Sequence, residues 1–186
     1  MIEQTMILLK PDAVARGLVG EITTRFEKAG FKIVGMKMVH VNEEMAKKHY
    51  SAKLIPIIGK KTTEDYSELG IECDLSPEDL GKKAYADLIK YATESPLIAV
   101  VLEGVHAVKM VRKMVGVTSP HRSAPGTIRA DYSTISMGYA TFVGMGGRNL
   151  IHASGSLEEA KEEIQLWFKK EEIMSYENVN DKHTRR

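Results

Sequence analysis

Between Lys109 and Arg148 the chain carries six basic residues, Lys109, Arg112, Lys113, Arg122, Arg129 and Arg148, against a single acid, Asp131. Planar guanidinium groups make paired hydrogen bonds to phosphate oxygens, so arginines gathered on a helix and the loop after it suit the clamping of a polyanion. A solvated basic face accounts for the same run. Just beyond it, Asn149-Leu150-Ile151-His152-Ala153-Ser154 ends an apolar strand on a histidine, immediately ahead of a helix start. Unpaired N–H groups and the positive end of a helix dipole favour an anion there, and an imidazole beside a hydroxyl can accept a phosphoryl group. A buried, hydrogen-bonded structural histidine is the alternative for His152.

Familiar phosphate loops and metal cages are absent from the sequence. Gly59-Lys60-Lys61-Thr62 has no Ser or Thr directly after Lys60, and Leu54 stands where the first glycine of a P-loop belongs. Gly144-Met145-Gly146-Gly147 has the flexibility of a phosphate nest without dinucleotide-binding spacing. The six histidines, at 40, 49, 106, 121, 152 and 183, contain no i, i+4 pair, and Cys73 is the only cysteine, so no protein-built metal site is expected.

These groups need a frame to hold them. Thr5-Met6-Ile7-Leu8-Leu9 is an apolar run stopped at Lys10-Pro11-Asp12, where proline lacks the N–H a ladder needs, and it predicts a first strand. Leu18, Ile22, Phe26 and Ala29 recur at helical spacing with Gly30 as C-cap. Residues 31–41 read as a second strand, and Asn42 caps a short helix closed by His49 and Tyr50. Residues 51–81, with Pro56, Gly59, Gly70 and mixed charge but no clear period, predict an excursion on the surface. Ser76-Pro77-Glu78-Asp79 starts a helix running to about residue 93, and residues 97–102 form the uninterrupted apolar run of a central strand covered on both faces. Residues 105–115 return to helical spacing, with Gly116 just past the end. Residues 117–148 predict a long binding loop, followed by a short strand at 149–152 and a helix capped by Ser156 and Glu159. The tail, Asp181 to Arg186, is expected to be loose.

This order predicts an α+β fold, a ferredoxin-like βαββαβ antiparallel sheet with extra helices and two insertions, at about 51–81 and 132–147, within a single domain spanning 1–186. Apolar residues make up 43% and charged residues 27% of the 186, enough to build a core. A net charge of +1 gives no general pull toward nucleic acid or anionic membranes. Charges interrupt every apolar run before it could span a bilayer, and Met1-Ile2-Glu3-Gln4 lacks a secretory pattern, so a reduced, cytoplasmic protein is expected.

Three linked blocks resemble the nucleoside diphosphate kinase family. The first is Met6 to Val14 with Arg16 to Ile22; the second is Glu103-Gly104, Val108-Lys109, Arg112, Met114-Val115-Gly116 and Thr118-Ser119-Pro120, then Pro125 to Arg129. The third is Arg148 to Ser154, followed by Glu158, Ala160, Glu163-Ile164 and Leu166-Trp167-Phe168. The resemblance implies transfer of the terminal phosphate of a nucleoside triphosphate to a nucleoside diphosphate, by a ping-pong mechanism through phosphorylated His152. It implies Lys10, Tyr50, Leu88, Arg112, Thr118, Arg129 and Asn149 as nucleotide-binding residues and Lys10, Ser154 and Glu163 as supports of the catalytic histidine. It also implies Mg²⁺ held mainly by substrate phosphates, a homo-oligomer (hexamer or tetramer), and low base specificity.

The sequence departs from the family pattern in three places. Gly155 stands where an acidic residue usually follows Ser154, which predicts slower turnover. The base-stacking aromatic falls near Ala84 and Tyr85, leaving the stacking residue open. The two extended segments have no assigned role. Two other classes compete: a regulatory relative that binds nucleotide without turnover, suggested by Gly155 and the insertions, and a nucleic-acid-binding module, which aromatics at 6% and the near-zero net charge disfavour.

Overall fold

The computed structural model describes residues 1–184. Strand β1 (Ile2–Leu9) leads through the short helix α1 (Pro11–Ala15) and helix α2 (Val19–Lys28) to β2 (Lys32–Val39). Helices α3 (Glu43–His49), α4 (Ile55–Leu69) and α5 (Pro77–Glu94) precede β3 (Leu97–Val105). Then come α6 (Ala107–Val115), α7 (Ile128–Tyr132), α8 (Met137–Phe142), β4 (Ile151–Ala153), α9 (Leu157–Trp167) and α10 (Asp181–Thr184). The four strands form one sheet in the order β2-β3-β1-β4, with every neighbouring pair antiparallel. This is the ferredoxin-like arrangement expected from the strand and helix order.

Both faces of β1 are buried because successive side chains point to opposite sides of a sheet. Ile7 and Leu9 join Val100 and Leu102 of β3 under α2 and α6, with Ile22, Phe26, Val111 and Leu150. Met6 and Leu8 join Ala99 and Val101 on the other face, against Trp167 and Phe168 at the end of α9. This double cover is why the β3 sequence reads as a continuous apolar run.

The excursion at 51–81 differs from expectation, because most of it is helical. The buried residues of α4 are Gly59, Thr62, Asp65 and Tyr66, a helical stripe made of small and polar groups that no hydrophobic period reveals. The small residues let α4 meet α5 backbone to backbone. A Cβ on Gly59 would collide with the Pro77 carbonyl oxygen, and one on Gly81 with the Ile55 carbonyl oxygen. The long loop expected at 117–148 also contains α7 and α8, five and six residues long, with Thr127 and Ser136 hydroxyls accepting the N–H groups of Ala130 and Tyr139. Helices this short show less than two turns of period. The tail departs from its expected looseness as well: Asp181–Thr184 forms α10, and Thr184 packs on Gly30. Arg185 and Arg186, the rest of that expected tail, lie outside the described residues.

Replacing Gly59 with Ala is expected to cost about 2 kcal/mol or more, because backbone cannot yield as a side-chain tip can. Gly20→Ala in α2, where the added methyl meets nothing within 4 Å, is the control and should leave stability unchanged or slightly raised. Urea unfolding of both variants checks this.

Candidate functional site

His152 lies on β4, whose short ladder pairs Leu8 with His152. The residue two before it, Leu150, is fully buried and holds φ at +70°, a conformation costly for a side chain with a Cβ. Its surroundings enforce it. Asp12 Oδ2 accepts the Leu150 N–H at 3.1 Å, and the Lys10 N–H donates to the Leu150 carbonyl at 2.8 Å. Asp12 Oδ1 takes the Ala13 N–H and the Tyr91 hydroxyl, so this carboxylate is committed to the turn that aims Asn149 and His152.

The His152 ring is fixed from behind. Its Nε2 donates to Glu163 Oε1 at 2.6 Å, and Glu163 Oε2 accepts the Ser154 hydroxyl at 2.5 Å. Ser154 Oγ in turn accepts the Met6 N–H at 3.2 Å, which ties the carboxylate to β1. With its proton on Nε2, His152 carries a free lone pair on Nδ1. Burial pushes the Glu163 carboxyl up, while His49 and the Ser154 hydroxyl oppose the shift. Burial, then Lys10, Arg129 and Arg112, hold the His152 imidazole down at about 3, so it is neutral across the physiological range.

The cations form the front of the site. Lys10 is 6% exposed and donates from Nζ to Asn149 Oδ1 at 2.7 Å and to the Gly147 carbonyl at 3.0 Å. Burial, reinforced by Arg129, lowers its ammonium to about 7. Arg129, 8% exposed, holds the backbone together: its Nε donates to the Asn149 carbonyl and its Nη1 to those of Gly116 and Val117. Its Nη2 donates to the Ile151 carbonyl. Burial, with Arg112 nearby, lowers it to about 10. Asn149 Nδ2 donates to the Thr118 carbonyl at 2.7 Å, joining that loop to Lys10, and Arg112 Nη1 reaches the Ala153 carbonyl at 3.3 Å. The Tyr50 ring stands edge-on to His152, centroids 6.0 Å apart, and burial raises its hydroxyl.

Hydrogen bonds or ring contacts thus join Lys10, Tyr50, Arg112, Thr118, Arg129, Asn149, His152, Ser154 and Glu163. Leu88 sits apart from this network, buried with Tyr50 and Tyr91 beneath the backbone of Gly147. Of the two residues near the expected stacking position, Ala84 is buried and Tyr85 donates its hydroxyl inward to the Tyr50 carbonyl at 2.7 Å. At the position that departs from the family pattern, Gly155 donates its N–H to Glu159 Oε2 at 2.7 Å, so a carboxylate stands where a side chain at 155 would begin.

Sequence reasoning missed His49, Asp12 and Tyr91. The His49 ring lies 4.4 Å from that of His152, its Nδ1 accepts the Trp167 Nε1–H at 3.2 Å, and its buried Nε2 has no hydrogen-bond partner among the described residues. Adjacency to Tyr50 was the one available signal. Burial, with His152 alongside and Glu163 opposing, lowers His49 to about 3.

A family model described as nucleoside diphosphate kinase matches residues 3–56 and 75–173. The chain belongs to the nucleoside diphosphate kinase family. A nucleoside diphosphate kinase of Pyrobaculum aerophilum is 47% identical over 180 residues, covering 93% of this chain and 98% of the relative. A crystal structure of an NDP kinase from that organism aligns with a TM-score of 0.86 at 45% identity, covering 94% of this chain and all of the other. A nucleoside diphosphate kinase of Borrelia burgdorferi, solved as a transition-state mimic with vanadate and ADP, aligns with a TM-score of 0.83 at 35% identity, covering 98% and 96%. The nucleoside diphosphate kinase model leaves residues 57–74, most of α4, unmatched.

Two imidazoles buried in the neutral form make stability depend on pH. Between about pH 6.5 and 3 the unfolded chain binds a proton on each of His49 and His152 that the folded chain does not. Stability should fall as pH drops through this window, since each ring adds a proton-linked loss. Urea unfolding at pH 7 and 5, with NMR titration of the ring resonances, measures the slope and shows whether both rings stay neutral at pH 5.

Proposed function

We infer that this nucleoside diphosphate kinase transfers the terminal phosphate of a nucleoside triphosphate to a nucleoside diphosphate through a phosphate carried on His152. The observation that carries this reading is the 2.6 Å bond from His152 Nε2 to Glu163, which leaves Nδ1 as the free nucleophile. The Nδ1 lone pair attacks the γ-phosphorus, the bond to the bridging oxygen breaks, and that oxygen keeps the electron pair as the nucleoside diphosphate leaves. A second diphosphate then attacks the same phosphorus with a terminal oxygen, and the pair of the Nδ1–P bond returns to the ring. The neutral resting imidazole needs no base to remove a proton before attack.

Lys10, Arg112 and Arg129 supply positive charge for the phosphate oxygens, and such fixed charge is the main contribution a protein makes to phosphoryl transfer. Thr118 and Asn149 hold the phosphates and ribose between the loop and β1. Tyr50 packs beside the reacting ring, and Leu88 backs the base side of the cleft. Ser154 and Glu163 orient His152. Asp12 and Glu163 already commit their carboxylates to N–H and O–H donors, so the residues present fit Mg²⁺ as a companion of the phosphates and water rather than in a protein cage. When bound, Mg²⁺ neutralises phosphate charge.

On this reading residues 1–186 work as a single domain, acting in the cytoplasm with nucleotides as partners rather than nucleic acid. Exposed Met36 and Met38 on edge strand β2 support assembly as a homo-oligomer, hexamer or tetramer. The Glu159 carboxylate beside Gly155 favours an active kinase over a relative that has lost turnover.

With terminally labelled ATP and Mg²⁺, wild-type protein is expected to take up acid-labile, alkali-stable label that chases onto added GDP, and His152→Ala to take up none. Nucleotide binding without label under any divalent ion would overturn the kinase reading.

A further inference from the structure

Helix α4 lies largely in the segment the family model leaves unmatched, and it brings a lysine to the phosphate side of the site. Lys61 Nζ stands 3.4 Å from Thr118 Oγ1. We propose that Lys61 is a further substrate-binding residue, its ammonium reaching the phosphate oxygens of the nucleoside di- or triphosphate at Thr118. This rests on the nucleotide reading of Thr118 given above.

The placement is built into the fold. Asp65 lies four residues after Lys61 on the same face of α4 and is 2% exposed. It accepts the Gly138 N–H at 2.7 Å and the Ser119 hydroxyl at 3.4 Å, and it pairs with Arg122 at 2.8 Å. One face of α4 therefore addresses two consecutive loop residues: Asp65 anchors at Ser119, and Lys61 presents its charge at Thr118. Both flanks of the helix are fitted closely. A Cβ on Gly138 would collide with Asp65, as one on Gly59 would with Pro77. Glycine at 59 and 138 thus allows α4 to sit near enough for Lys61 to span the gap.

Lys61 also remains available for an anion. It is exposed, and among the described residues no ion pair engages it. Gly59-Lys60-Lys61-Thr62 is not a phosphate loop, since it lies inside a helix whose N–H groups are already bonded. The charge of Lys61, rather than the backbone, is what this segment offers to phosphate.

The test is calorimetric titration of the full chain and its Lys61→Ala and Lys61→Arg variants with MgADP and with adenosine. Lys61→Ala is expected to weaken ADP about fivefold, less so as salt is raised, while adenosine affinity changes by less than about twofold. Lys61→Arg should restore most of the loss, and the melting temperature of both variants should match wild type. ADP affinity unchanged in Lys61→Ala, or ADP and adenosine weakened by the same factor, would overturn the assignment. Labelling of wild type from ATP, run alongside, separates the two readings. Label on wild type with ADP affinity unchanged in Lys61→Ala removes Lys61 alone, whereas absence of label on wild type removes the kinase reading.

Discussion

The carboxylate of Glu163 serves two donors at once, the His152 imidazole and the Ser154 hydroxyl, and the catalytic reading depends on that arrangement. A histidine free to rotate would present either nitrogen to a phosphate. One whose Nε2 is held at 2.6 Å presents only Nδ1, in one direction. Glu163 can do this because it is itself fixed, through Ser154, to the backbone of Met6 in the central strand. The nucleophile is therefore referenced to an interior strand of the sheet, buried on both faces.

The front of the site is held by a different means. Two buried cations stand in a place where charge is expensive, and both are lowered from their usual values by that burial. Arg129 offsets the cost by collecting backbone carbonyls from the loop at 116–117 and from the turn before His152. Lys10 does so through Asn149 and Gly147. The strained Leu150 turn is held between Asp12 and these cations, so the site is assembled before substrate arrives. Burial, and then the same positive charge that suits a triphosphate, keep His152 unprotonated, which links binding and nucleophilicity.

Much of this was legible in the sequence where a single physical signal dominated. The doubly covered β3 reads as an apolar run, α5 announces itself through Ser76 and Pro77, and the basic stretch from Lys109 marks the cation-bearing loop. Linked motifs, rather than any one spacing, pointed to His152 and its partners. The illegible parts have separate physical causes. Helix α4 buries Gly59, Thr62 and Asp65, and α7 and α8 are too short to show a period. His49 gave no signal beyond its place next to Tyr50, because its partners, His152 and Trp167, are more than a hundred residues away in sequence.

The most direct measurement is the position of the phosphate on the phosphorylated enzyme, read by NMR from the phosphorus and ring-nitrogen couplings of the His152 imidazole. The bond from His152 Nε2 to Glu163 requires phosphate on Nδ1, with Nε2 still bonded to the carboxylate. Phosphate on Nε2 would contradict it, since that nitrogen would have to leave the carboxylate on which the arrangement of the site depends.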